Sequence, residues 1–148
     1  MVDRIEPSHV VDRLEIEQLV NAYALHIDFQ EIDEWVDLFT EDAFFDESEF
    51  DNGLHVGHEA IRAYGNVLKA TAEHASHIMA NLVIRDMTEN SATAICFALV
   101  EAQMKTGERA RYQVRYFDNY VKTQDGWKFS KRILRKSFPV EDMGREDT

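Results

Sequence analysis

The chain has 148 residues, enough for one domain with a real hydrophobic core. Hydrophobic residues make up 45% and aromatics 11%, which excludes intrinsic disorder. The 28 acidic against 16 basic residues give a formal charge of −12, which repels phosphate backbones and anionic lipid and so argues against nucleic-acid and membrane partners.

The N-terminal MVDRIEPSHVVDRLE is too acidic and polar for a signal peptide. No apolar run approaches the roughly 20 residues of a membrane span. Cys96 lies inside the apolar run ATAICFALV and reads as a small buried hydrophobe, without the electropositive neighbours that thiol catalysis needs. A soluble, cytoplasmic domain is the expectation.

Ser8 can cap a first helix, in which Ile16, Leu19, Val20, Tyr23 and Ile27 form one apolar stripe. A shorter helix follows, with Ile32, Trp35, Val36 and Phe39 at helical spacing. AFFDESEF is a short extended piece and DNG a turn. Gly57 leads a third helix that carries Ile61, Tyr64 and Leu68 on one side. The period then changes to that of strands. HIMANLVIRDM, SATAICFALVEAQM, RARYQVRYFDNYVK and GWKFSKRILRKSF are long β-rich runs, separated by TEN, KTGE and QDG, spacers that suit tight hairpins. Three helices followed by a meander predict an α+β fold. The strands exceed the usual five or six residues or so, which predicts a strongly curved, mainly antiparallel sheet enclosing a pocket. Trp35, Phe39, Phe97 and Trp127 are expected in or beside the core. The domain is expected to span 1–138, and the charged segment 139–148 to be a flexible tail. ATAICFALV is apolar on both faces, which predicts self-association through the outside of the sheet.

Asp28 sits between Ile27 and Phe29, and a carboxylate in apolar company costs stability unless it is paired. It could cap the second helix, or it could serve a pocket. On a regular wheel, five residues leave about 140° between Tyr23 and Asp28, so a partnership needs the helix to end or deform near His26. In the first long strand, strict alternation puts His77, Met79, Asn81 and Val83 on one face. That face is apolar with two polar groups in it, which suits either a pocket wall or a partly solvated surface. The basic last strand (Lys128, Lys131, Arg132, Arg135, Lys136) reads most simply as a solvated face that offsets the acidic surface. If one arginine turns inward to an anionic or carbonyl group, Arg135 is the choice, since alternation groups it with Trp127, Phe129 and Ile133. The HxxH pairs at His55/His58 and His74/His77 make poor metal clamps if extended, because an odd separation turns the rings to opposite faces. No HExxH, cysteine pair, EF-hand loop, GxSxG, P-loop or dinucleotide fingerprint occurs, so neither a metal nor a cofactor is expected.

A helix ending YxxxxD, then DEWxxLFxxDAxF, a Gly57-led helix, a strand opening HxxxN and a final DGWKFSKRILR together resemble the SnoaL-like branch of the nuclear transport factor 2-like superfamily. The resemblance runs from about Val11 to Phe138. It implies a cone: a curved sheet wrapped around helices, with a small-molecule site at the mouth. Tyr23 to Asp28 and His77 to Asn81 are most similar to the lyase-like members, namely scytalone dehydratase, bile-acid 7-alpha-dehydratase and hexachlorocyclohexane dehydrochlorinase. The resemblance implies an Asp28–His77 general-base dyad, with Tyr23 as a hydrogen-bond donor. Arg135, Asn81, Met79 and Trp35 are the expected substrate-binding residues. The expected function is a cofactor-independent lyase acting on a small apolar cyclic substrate. An isomerase or polyketide cyclase uses nearly the same parts. A non-catalytic binding module, like the small subunit of a ring-hydroxylating dioxygenase, is the alternative from another class. A homo-oligomer is expected, a trimer ahead of a dimer.

Overall fold

A computed structural model describes residues 4–146. A 3-10 turn at Pro7–His9 leads into α1 (Val10–Asp28). The residue at the α1 N-cap is therefore His9, and Ser8 makes no cap bond. Ile16, Leu19, Val20, Tyr23 and Ile27 are all buried, as the stripe predicts. After α2 (Ile32–Asp37) the chain enters β1 (Phe39–Asp46), passes a second 3-10 turn at Ser48–Phe50, and forms β2 (Leu54–Val56). Helix α3 (Gly57–Thr71) starts at a glycine with φ of +83°, a conformation that L side chains rarely adopt. Gly65 serves a different need. A Cβ there would lie 2.9 Å from Ile32 Cγ2 and 3.1 Å from the Trp35 ring, so glycine lets α3 lie flat on α2.

The second half is a meander of β3 (Ala72–Met87), β4 (Ser91–Met104), β5 (Glu108–Thr123) and β6 (Gly126–Lys136). The sheet order is β2-β1-β6-β5-β4-β3, with β1 and β6 parallel and the other neighbours antiparallel. The α+β cone is the fold. Among the described residues, no helix is long and apolar enough to cross a membrane.

On β4 the inward residues are Ala92, Ala94, Cys96, Ala98 and Val100, mostly small ones that leave room for the helices. Phe97 consequently faces out, at 37% exposure, and does not belong to the core as expected. Ile78, Leu99, Phe117 and Val121 are also exposed, so the outer sheet face is partly apolar. Trp35, Phe39 and Trp127 are buried as expected. Trp127 donates its ring N–H to Asp12 (2.9 Å), which also pairs with Lys122 (2.7 Å) and so pins the start of α1 to the β5–β6 hairpin.

The expected flexible tail contributes a strand, β7 (Glu141–Arg145). β5 runs past the end of β6, and β7 pairs with the overhang, Glu108↔Arg145 and Arg111↔Glu141. An unpaired strand edge is a liability, and covering it favours order in a segment whose composition alone suggests none. Arg111 bridges Glu101 (2.7 Å) and Glu141 (3.2 Å), and Arg109 pairs with Glu146 (2.7 Å).

Bulges curve the sheet and reassign its faces. On β3, Ala80 pairs with Phe97 but Val83 with Ile95, which leaves an extra residue around Asn81. Asn81 has φ of +50°, which asparagine tolerates better than most residues. On β6, Lys131 pairs with Asn119 but Phe129 with Tyr120, so Ser130 is extra. A one-residue slip moves every later side chain to the opposite face. Trp127 and Phe129 face inward before the bulge; Arg132 and Leu134 face inward after it.

Candidate active site

The concave face of the sheet and the three helices enclose a cavity of about 200 Å³. A cavity of about 150 Å³ is enough to hold benzene, so one small substituted ring fits. Ile27, Val100, Ala102, Val114 and Leu134 give it an apolar lining. A few polar groups converge on it from the end of α1, the turn after β1, α3, β3 and β5.

Asp28 is the last residue of α1. A carboxylate there meets the negative end of the helix dipole and gains nothing from it. Two N–H groups from β3 compensate. Asp28 Oδ2 accepts the backbone N–H of His77 at 2.7 Å, and Oδ1 lies 2.5 Å from His77 Nδ1. The carboxylate therefore holds both the backbone and the ring of the same residue. Asp28 does not cap α2, whose N-cap position is Glu31. With Nδ1 turned to a carboxylate, Nδ1 carries the proton of the neutral ring and Nε2 keeps its lone pair. Nε2 makes no hydrogen bond to another described residue. The pair is largely shielded, with 14% of the His77 side chain and 17% of that of Asp28 exposed, and both residues line the cavity.

Tyr23 lines the same cavity without touching Asp28. Its ring meets that of His77 edge-on, with centroids 6.3 Å apart at 85°. α1 stays regular to Asp28, so the two residues converge on His77 from different directions instead of pairing with each other. Burial pushes the Tyr23 hydroxyl well above its ordinary pKa, with Tyr116 adding to the rise. Burial does the same for Tyr116, Tyr64 and Tyr112. All four line the cavity and keep their protons near neutral pH, as donors. The hydroxyls of Tyr23, Tyr112 and Tyr116 make no hydrogen bond to another described residue.

The expected substrate-binding residues fall elsewhere. Arg135 is exposed, because the Ser130 bulge turns Arg132 and Leu134 inward in its place. Asn81 is exposed, because it is itself the bulge of β3. Met79 is half-buried and packs against the core beyond the cavity wall. Trp35 is fully buried, edge-on to Phe39 (5.4 Å) and Phe45 (5.7 Å), and lies behind Tyr23 instead of in the cavity.

Sequence reasoning missed Glu47, Tyr64, Tyr112 and Tyr116. A signal for Glu47 was present, since the alternation that buries Ala43 and Phe45 also buries Glu47 two residues on. It missed Arg132 and Asp118 as well. Arg132 is fully buried and forms a two-point ion pair with Asp118 (Nε–Oδ1 and Nη2–Oδ2, both 2.8 Å). Its guanidinium lies 4.2 Å from the centroids of both Tyr23 and Tyr116 and 4.1 Å from that of Phe129. Two cavity tyrosines are thus set by a buried charge beneath them. Among the described residues, no three His, Cys, Asp or Glu side chains converge as a metal site would require. His55 and His58 instead turn their Nε2 atoms to backbone oxygens, of Asn52 at 2.9 Å and Phe39 at 2.8 Å. Cys96 is buried, and burial pushes its thiol up to about 11.

Helices packed on a strongly curved sheet make the cone of the nuclear transport factor 2-like superfamily. Within it, the SnoaL-like domain model matches residues 8–133, and the chain belongs to that family. A candidate aromatic ring hydroxylase from Novosphingobium aromaticivorans is 31% identical, covers 90% of this chain and 94% of its own, and superposes with a TM-score of 0.85. A candidate scytalone dehydratase from the same organism is 23% identical (TM-score 0.83, covering 94% and 92%). A type 2 hexachlorocyclohexane dehydrochlorinase is 19% identical (TM-score 0.81, covering 92% and 91%). The last two likenesses bear on the fold alone.

Proposed function

We propose that the chain is a cofactor-independent lyase, removing water or a similar leaving group from a small, largely apolar cyclic substrate. The observation that carries this reading is the grip of Asp28 on both the ring and the backbone of His77 beside an apolar cavity. The carboxylate fixes the tautomer and favours imidazolium as a proton arrives, as the aspartate of a catalytic triad does. His77 Nε2 takes a proton from carbon, with Asp28 as the orienting partner. Tyr23, held protonated by burial, donates to the carbonyl that acidifies that carbon. Proton transfer without loss of a leaving group, an isomerase reaction, would use the same groups.

The relative at 31% identity favours a second reading, in which the cone binds an aromatic ring as part of an oxygenase system. Product analysis separates the two. The purified chain is incubated with cyclic ketones carrying a hydroxyl or chloride two carbons from the carbonyl. The expected result is the enone, with the leaving group released and no oxygen consumed. A hydroxylated ring, or retention of the compound unchanged at stoichiometric occupancy, would favour the second reading.

A further inference from the structure

Glu47 is a buried carboxyl that lines the same cavity as the Asp28–His77 pair, and the elimination described above gives it no part. Its hydrogen bonds are one-sided. Oε2 receives both Tyr64 Oη and Asn52 Nδ2, the latter at 3.1 Å. Oε1 makes no hydrogen bond to another described residue. The turn is held firmly, because the Glu47 N–H donates to Gly53 O (2.9 Å) and its carbonyl accepts from Phe50 (2.9 Å) and Asn52 (3.3 Å). The ring of Tyr64 is in turn stacked on His55, with centroids 4.3 Å apart. With both donors on Oε2, a proton on Glu47 sits on Oε1.

We propose that Glu47 is the proton donor to the leaving group, and hence that the substrate class is a cyclic β-hydroxy carbonyl compound, from which water is lost. The proposal rests on the dyad reading. A chloride departs as a stable anion and needs no proton; a hydroxide is a poor leaving group and does. His77 Nε2 removes the proton from the carbon beside the carbonyl, the C=C bond forms, and the C–O bond breaks. The Glu47 proton goes to the departing oxygen, so water leaves. Imidazolium and carboxylate remain; His77 then loses its proton to solvent and Glu47 regains one, which completes the balance.

Burial raises the Glu47 pKa above its ordinary value, while the hydrogen bonds from Tyr64 and Asn52, and the charges of His77 and His55, work against the rise. The groups facing it are Tyr64 from α3, His55 from β2, His77 from β3, Tyr23 from α1, and Tyr112 and Tyr116 from β5. A carboxyl with a raised pKa on the same cavity as a histidine base is a pairing suited to acid–base elimination.

The test compares 3-hydroxycyclohexanone with 3-chlorocyclohexanone, following the enone, for the wild type, Glu47→Gln and His77→Gln. Glu47→Gln keeps the shape and cannot release a proton. It is expected to slow water loss by about 10²-fold or more and chloride loss far less. His77→Gln is expected to slow both. Equal effects of Glu47→Gln on the two compounds, or none on either, would overturn the proposal and leave the dyad intact. An unaffected His77→Gln would instead remove the dyad reading. Thermal unfolding against pH gives a check that needs no turnover. With a raised folded pKa, the folded chain binds the Glu47 proton more tightly than the unfolded one, so its stability falls as pH rises through that range. Glu47→Gln escapes this loss, and its Tm advantage over the wild type should grow with pH. An advantage that shrinks or reverses with rising pH would overturn the proposal.

Discussion

Asp28→Asn and His77→Gln are each expected to lower kcat by about 10²–10⁴-fold, the usual loss when a positioned general base is removed. Ligand affinity should change far less, because the pair acts on the proton in transit and not on the resting substrate. Asp28→Asn is the sharper of the two. It preserves shape, but an amide can present its NH₂ to Nδ1, and the ring then keeps its proton on Nε2, where the lone pair is needed. The double variant should be little worse than the poorer single one, since two residues acting as one unit are not additive. Unchanged kcat in either single variant, measured on a compound the wild type turns over, would count against the dyad.

Asp118→Asn is expected to cost about 3–5 kcal/mol of stability, the largest structural effect of any single substitution considered. Arg132 is fully buried, and its guanidinium has Asp118 as its two-point partner. Its Nη1 has no hydrogen-bond partner among the described residues, so once the carboxylate is gone the charge is left with aromatic ring faces beside it and no anion. The ion pair itself is weak evidence for stability, because desolvating both charges offsets much of their attraction. Removing both together, as Asp118→Leu with Arg132→Met, should therefore recover part of the loss, the remainder being the buried Tyr120 hydroxyl that Asp118 also accepts. For a domain of this size each kcal/mol shifts Tm by about 2–4 °C, so thermal unfolding reads both results. The double variant should still bind cavity ligands less well, because Arg132 lies against the rings of Tyr23 and Tyr116. Full recovery of binding would mean that those rings are set by packing alone.

The helices, the meander and the two ends of the Asp28–His77 pair were legible in the sequence because each rests on a local period or a motif. The α1 stripe survives intact, and His77 lies on a stretch of β3, His74 to Ala80, that pairs with β4 without a break. What failed lies beyond a bulge. Asn81 and Arg135 were placed by unbroken alternation, and in each case one extra residue, at Asn81 itself and at Ser130, reverses the face. A bulge has no periodic signature, so alternation counted across it gives the wrong side. Phe97 fails for another reason. On a strand apolar on both faces, alternation does not say which side the helices cover, and here the small residues take the inside. β7 pairs with a strand some 30 residues away, and its charged composition carries no trace of that partner.

Removal of a proton from carbon by His77 is tested by isotope exchange, which requires no leaving group. Cyclohexanone is incubated with the protein in D₂O, and loss of its α-proton signal is followed by NMR. The wild type should exchange deuterium into the α-position well above the buffer rate, with His77→Gln and Asp28→Asn reduced by about 10²-fold or more. Exchange by His77→Gln at the wild-type rate, or none by the wild type above buffer while cyclohexanone occupies the cavity, would rule out His77 as the base.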